Sequence, residues 1–170
     1  ALVRSGQPFF LWIHFYDPHF RYEPHPPPPG EPAFGSTETD LYDGEIRYTD
    51  QHLGRVLAYL QASPVWDHTA VIVTSDHGEG LGEHGLPPDR RHGYHLYANQ
   101  TKVPLIIRVP LKASSPAAPV TPAKGVGAPV GHIDLVPTML QAAGVDRSGL
   151  PQLTGRSLLQ LLAPEPGPEK

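Results

Sequence analysis

One stretch constrains this chain more than any other: Ala70 to Gly85, AVIVTSDHGEGLGEHG. It opens with Ala70-Val71-Ile72-Val73, a short β-branched apolar run suited to a buried strand. The run stops at Thr74-Ser75, and Asp76, His77 and Glu79 then arrive together with Gly78, Gly80, Gly82 and Gly85. Open α/β sheets put ligands and chemistry just past the carboxyl ends of their strands, so a carboxylate beside an imidazole at that place points to a site. The glycines let the backbone turn sharply and approach a ligand closely. A solvated surface loop is the competing reading, but such loops rarely gather Asp76, His77, Glu79, Glu83 and His84 so tightly.

The sequence before this stretch supplies a strand and a helix. Pro8 to Phe15, PFFLWIHF, is apolar and aromatic almost throughout and predicts a strand buried on both faces, with His14 as a core histidine. Tyr16-Asp17-Pro18-His19 is a turn signal that delivers Asp17 and His19 to the end of that strand. Phe20 to Thr39 is a loop, because Pro26 to Pro29 lack the N–H groups that a helix or central strand needs. A loop of this length is either a rim over a site or a spacer. From Leu41 to Gln61 the period changes, and Tyr42, Ile46, Thr49, Leu53, Val56, Leu57 and Leu60 fall on one helical face. Asp40 is the expected N-cap, while Glu45, Arg47, Asp50, Gln51 and Arg55 lie off the apolar face. Asp50 and His52 read as structural. Strand, helix, strand in this order is a βαβ crossover and implies a parallel sheet.

Downstream, the loop 76–102 carries Glu79, Glu83, His84, His92, His95 and Tyr97, with His95 and Tyr97 reading as packing. Val103 to Val109 returns as another buried strand, and Leu111 to Pro129 is an Ala/Pro/Ser/Gly-rich surface connection. Val130 to His132 forms a brief strand. Asp134 then caps a helix from Leu135 to Ala143, with Pro137 in its first turn and Gly144 as its stop. Thr154 to Leu162 is a final short helix. One partial domain over residues 1–163 and a flexible tail over 164–170 complete the expected organisation.

Composition narrows the function classes. Net charge is −4 and no basic block stands out, which argues against nucleic acid as a partner. Ten histidines, several beside acids, are compatible with a metal or anion site. There is no cysteine, so thiolate chemistry is absent from these residues. No apolar run approaches the roughly 20 residues of a membrane span. The first residues lack a starting Met and lack a basic segment followed by a long apolar one, so they read as a chain entered in its middle.

Five segments, in order, carry a resemblance: PFFLWIHFYDPH, YDGEIRYTDQHLGRVL, TAVIVTSDHGEGLGEHG, HGYHLYANQTKVPLIIRVP and HIDLVPTMLQAAG. Together they resemble the later part of the catalytic domain of sulfatases, in the alkaline phosphatase superfamily. The resemblance implies an α/β fold of three layers, α/β/α, with a mostly parallel sheet, incomplete at its N-terminus. It implies a metal-dependent sulfuric-ester hydrolase whose nucleophile, a formylglycine made from Cys or Ser in Cys-x-Pro-x-Arg or Ser-x-Pro-x-Arg, lies before Ala1. Neither motif occurs in these residues.

By the same resemblance, Asp76 and His77 are metal ligands, and His19 and His92 are catalytic groups that meet the ester near its bridging oxygen. Glu79 and His84 are candidate substrate contacts, and His132 reads as structural. Asn99 stands where relatives often have Glu. The implied cofactor is a divalent cation, Ca²⁺ first, with Mn²⁺ or Zn²⁺ admitted because an imidazole stands at position 77. The implied partner is a sulfated small molecule or glycan, and the implied location is periplasmic, extracellular or otherwise exported. The alternatives are a phosphoesterase, a phosphonate monoester hydrolase or a phosphoethanolamine transferase of the same superfamily, or an inactive remnant of the fold.

Overall fold

The computed structural model describes residues 6–85, 87, 92–110, 125–146 and 148–162. Its regular elements are a long helix α1 (Glu38–Gln61), strand β1 (Val71–Thr74), a one-turn helix α2 (Ala98–Thr101), strand β2 (Leu105–Arg108) and helix α3 (Leu135–Ala142). Three 3₁₀ turns, Trp66–His68, His132–Asp134 and Leu158–Leu162, join or follow them.

β1 and β2 form a two-stranded sheet. The Gly78 N–H donates to the Gln100 carbonyl at 2.8 Å, and the Thr74 hydroxyl donates to the Pro104 carbonyl at 2.9 Å. Position rises on one strand as it falls on the other, so the pair is antiparallel. Both elements are shorter than the sequence suggests. The expected parallel partner, Pro8 to Phe15, forms no strand among the described residues, and Phe10 and Trp12 are 71% and 75% exposed. Among the described residues no neighbouring strand supplies it with a ladder of hydrogen bonds, and a run without a ladder cannot bury both faces. His14 is consequently exposed rather than a core histidine.

The chain divides into two compact units, Ala1–Val65 with Val73–Leu105, and Trp66–Ile72 with Ile106–Lys170. In the first, α1 begins earlier than expected. Thr37, not Asp40, is the N-cap: the Thr37 hydroxyl accepts from the Asp40 N–H, and the Asp40 carboxylate accepts from the Thr37 N–H at 2.9 Å. This is the reciprocal capping box, which satisfies two otherwise orphaned donors. The Thr37 hydroxyl and N–H hold the Asp40 carboxyl below its ordinary range.

Tyr42, Thr49, Leu53, Val56, Leu57 and Leu60 are half-buried as their spacing predicts, but Ile46 is exposed. The deepest side chain of α1 is Glu45, which the periodicity had left off the apolar face. At 100° per residue Glu45 lies at the edge of that stripe, next to Thr49 and Tyr42, so a modest widening of the buried face covers it. The loop 20–37 lies along α1. The Glu23 N–H donates to Glu45 Oε1 at 2.7 Å, Arg47 donates to the Pro32 carbonyl at 2.8 Å and sits over the Phe34 ring, and His25 stacks on Tyr48 with centroids 3.9 Å apart.

In the second unit, Arg108 donates to the carbonyls of Trp66 and Thr69 and lies over the Trp66 ring. Helix α3 is pinned by polar groups. Asp134 is not a side-chain cap for its N–H groups; the carboxylate accepts instead from the N–H groups of Gly131 and Arg156. Thr138 donates to the Asp134 carbonyl and accepts from the Leu158 N–H. Gly144, at φ +67°, ends the helix in the left-handed region as expected. The expected strand at 130–132 is absent, since residues 132–134 turn as a 3₁₀ helix, and the expected final helix is the 3₁₀ turn at Leu158–Leu162. Most of the connection 111–129 and the tail 164–170 lie outside the described residues.

Candidate active site

The site is built at the end of β1, in the first unit. A cavity of about 200 Å³ is lined there by the turn Asp17-Pro18-His19, by Tyr42 of α1 and by Ser75 to Glu79. Sequence adjacency puts Asp76 and His77 together at the strand's tip. What fixes the loop behind them is a close backbone approach. A Cβ on Gly78 would lie 2.1 Å from the Asn99 carbonyl oxygen, so only glycine lets the Gly78 N–H reach Gln100.

Three imidazoles converge on this place. The His77 and His92 rings stack with centroids 4.4 Å apart, and His19 meets His92 edge-on at 5.1 Å and His77 at 6.2 Å. One nitrogen from each of His19, His77 and His92 lies within 4.8 Å of the others. Each ring is held in the same way. His19 Nδ1 is 2.7 Å from the Phe20 carbonyl, His77 Nδ1 is 2.8 Å from the Gly78 carbonyl, and His92 Nδ1 is 3.0 and 3.2 Å from the two Glu79 oxygens. A carbonyl or a carboxylate only accepts, so in all three rings Nδ1 carries the proton and Nε2 is the atom left for chemistry. Oxygen partners on the far nitrogen are also what orients imidazoles that bind metals.

The acids divide their work. Asp76 is the open one, its side chain 71% exposed, with Oδ2 3.9 Å from His77 Nε2. Its slight burial works against ionisation, but the His77 imidazole, the N–H groups of Asp76 and His77, and His14 outweigh it and hold the carboxyl below its ordinary range. A carboxylate beside an available imidazole nitrogen is a sound donor pair for a divalent cation. Glu79 is the closed one. Its side chain is 5% exposed and faces His92, so it positions a ring rather than lining open solvent. Burial, with Glu79 and Asp43 adding to it, pushes the Tyr42 phenol up, which keeps it an O–H donor in the cavity wall.

Of the six site residues expected from sequence, five gather here: His19, Asp76, His77, Glu79 and His92. His84 does not join them. It is exposed and stacks on Tyr97 at 3.7 Å, while Glu83 accepts from the Asn99 amide and the Leu81 N–H and so braces the loop. Asp17, His14 and Tyr42 also line the cavity. The spacing of Tyr42 on the apolar stripe gave no sign of this, and the signal for His14 was its place just before the Asp-Pro-His turn. His132 is exposed and belongs to the second unit, whose own depression, about 700 Å³ and lined by Gln141, Asp146, Arg156 and Gln160 among others, holds no imidazole among its described lining residues.

Comparison with known proteins bears on this arrangement. The family model described as Sulfatase matches residues 2–145. An N-acetylglucosamine-6-O-sulfatase from Bacteroides thetaiotaomicron is 35% identical over 107 residues, 62% of this chain and 17% of that protein. A steryl-sulfatase from Mus musculus is 28% identical over 166 residues, 92% of this chain and 25% of that protein. A multifunctional alkaline phosphatase superfamily protein, PehA, from Trinickia caryophylli is 38% identical over 122 residues, 72% of this chain and 21% of that protein. The chain thus spans about a sixth to a quarter of the length of the curated relatives it matches.

Proposed function

We propose that this chain, which belongs to the sulfatase family, carries the metal-binding and leaving-group half of a sulfuric-ester hydrolase. The observation that carries the proposal is the convergence of three imidazoles, each tied through Nδ1, beside the ionised Asp76 at the tip of β1. Family membership implies an alkaline phosphatase-like α/β fold. We extend that to a three-layer domain with a mostly parallel sheet in the whole protein.

Sulfatase-family proteins generally use a divalent metal, and the donors at this cavity fit one. Asp76 and His77 would hold it, and when bound it would polarise the oxygens of the sulfuryl group. Ca²⁺, the ion implied by the resemblance, takes about six to eight oxygen ligands, so Asp76 would be joined by carboxylates outside these residues. The chain's own residues act on the leaving group. As the bond from sulfur to the bridging oxygen breaks, negative charge builds on that oxygen, and the imidazolium form of His19 or His92, protonated on Nε2 as well as on the tethered Nδ1, gives it the Nε2 proton and is left neutral. Glu79 keeps the His92 ring from turning away. The nucleophile that bonds to sulfur comes from outside these 170 residues, which contain no cysteine and no Ser-x-Pro-x-Arg. The substrate class is a sulfated small molecule or glycan, and the protein is exported; recovery of activity only from cytoplasm would overturn the last point.

The shared Nδ1 tether favours a second reading of the metal. Three imidazole nitrogens suit Zn²⁺ or Mn²⁺ better than Ca²⁺. Metal content of the purified protein separates the two: loss of the ion in His19→Ala supports the three-imidazole site, and its retention supports Asp76 and His77 with outside carboxylates. The reaction itself is tested by comparing 4-nitrophenyl sulfate with the phosphate and phosphonate esters, using the protein that carries this chain. We expect sulfate to be preferred in kcat/KM, and Asp76→Ala to lower turnover by at least about 100-fold without loss of folding. Faster phosphate or phosphonate hydrolysis, or full activity in Asp76→Ala, overturns the assignment.

A further inference from the structure

The first unit holds a second cluster of donor atoms, separate from the imidazole triad. One carboxylate oxygen of Asp17, one imidazole nitrogen of His25 and one carboxylate oxygen of Glu45 all lie within 4.8 Å of one another. They come from three places in the chain: the turn after residue 16, the proline-rich loop, and the second turn of α1. Nothing in the proposed hydrolysis uses His25 or Glu45.

Burial makes the cluster more than a patch of polar groups. Glu45 is 1% exposed. Its Oε1 accepts from the Glu23 N–H, but Oε2 is buried with no hydrogen-bond partner, and His25 Nε2 is likewise buried and unpaired among the described residues. Buried carboxylate and imidazole atoms are normally paired or bound to a metal, because leaving them dry and unpaired is costly. The ligands are also held from outside. The His25 ring lies flat on Tyr48, with 7° between planes, and the Thr49 hydroxyl donates to the Asp17 carbonyl at 3.1 Å.

We propose that Asp17, His25 and Glu45 form a second divalent-cation site of the Zn²⁺ class, which staples the proline-rich loop to α1. One nitrogen and two carboxylate oxygens suit Zn²⁺ or Mn²⁺, and three protein ligands leave a position for water. Ligand atoms around tetrahedral Zn²⁺ stand about 3.3 Å apart, given bonds of about 2.0–2.2 Å. Side-chain rotations that draw the three donors together by an ångström or so therefore complete the site. The role is structural, and it does not depend on the sulfatase reaction.

The test uses the whole protein that carries this chain, with Zn²⁺ as the probe. In an Asp76→Ala/His77→Ala background, stripped with chelator and dialysed, one equivalent of Zn²⁺ should bind and raise the melting temperature. Glu45→Gln, which keeps the side chain's shape, should weaken that binding by more than about 100-fold, beyond the 10–100-fold that follows loss of a supporting hydrogen bond. His25→Gln should do the same, and it decides the matter alone if Glu45→Gln does not fold. Absence of a bound equivalent in the background protein overturns the proposal. So does unchanged affinity in the folded variants, which would place any Zn²⁺ on other histidines.

Discussion

The contact between Glu79 and His92 offers the sharpest test of how the site works. His92 Nδ1 faces both Glu79 oxygens, at 3.0 and 3.2 Å, and the acid is almost fully buried. A hydrogen bond to a charged group contributes about 1.5–3 kcal/mol, and a neutral one about 0.5–1.5 kcal/mol. Glu79→Gln can still present an amide oxygen to Nδ1, so it loses the difference, about 1–1.5 kcal/mol. If the bond acts by holding His92 in place for the transition state, that is about 5- to 13-fold in rate at 1.36 kcal/mol per decade. Glu79→Ala removes the acceptor entirely and should cost about 13- to 160-fold by the same conversion. The assay is kcat/KM on a series of sulfate esters with leaving groups of rising pKa, in the protein that carries this chain, with melting temperatures measured alongside. Because His92 is placed at the leaving oxygen, the deficit should grow as the leaving group worsens. A merely structural role would lower all substrates alike. Rates within about twofold of wild type for Glu79→Ala, or a deficit that ignores the leaving group, would refute the positioning argument.

Three other outcomes follow from the same geometry. His19→Ala should slow alkyl sulfates by about 100-fold or more while sparing aryl sulfates, the signature of lost proton donation; equal losses on both would argue against it. Gly78→Ala should destabilise the protein by about 1–3 kcal/mol in denaturant unfolding, because the new methyl would meet the Asn99 carbonyl 2.1 Å away and push the loop off Gln100. A neutral effect would mean the loop is held otherwise. Asp134 is held below its ordinary 3.8 by the Arg156 N–H, the Gly131 N–H and the Arg156 guanidinium. A depressed folded-state value stabilises above pH 3.8 and is lost as pH falls through it, so Asp134→Asn should flatten the acid limb of the stability curve. An unchanged limb would show that these bonds survive protonation.

The parts of the site that the sequence disclosed were those that neighbours in the chain determine. Asp76 and His77 share the end of a β-branched run, and their joint placement needs only that run to be a strand. The capping of α1 was legible in kind but not in place, since Thr37 and Asp40 form one reciprocal box and either reads as a cap alone. The gathering of His19 and His92 around His77 came from family resemblance, because no local rule joins turns so far apart in sequence. The partner of Glu79, a candidate substrate contact in the sequence, was not legible: His92 folds back onto it from thirteen residues later, and no local rule foretells that.

Burial was the least legible property, in both directions. Pro8 to Phe15 has the composition of an interior strand, yet composition records what a segment can bury against, and the described residues supply it no partner strand. Glu45 has the composition of a surface residue, yet the Glu23 N–H and the ring of His25 close over it. Both errors have one cause. Periodicity ranks positions by the polarity of their own side chains, whereas burial is decided by what the rest of the chain brings alongside. A carboxylate covered in this way must find a partner or give up its charge, and at Glu45 the groups that arrive with it, Asp17 and His25, are of the kinds that can hold a cation. That is why the residue the pattern placed outside is the one from which a second metal site can be argued.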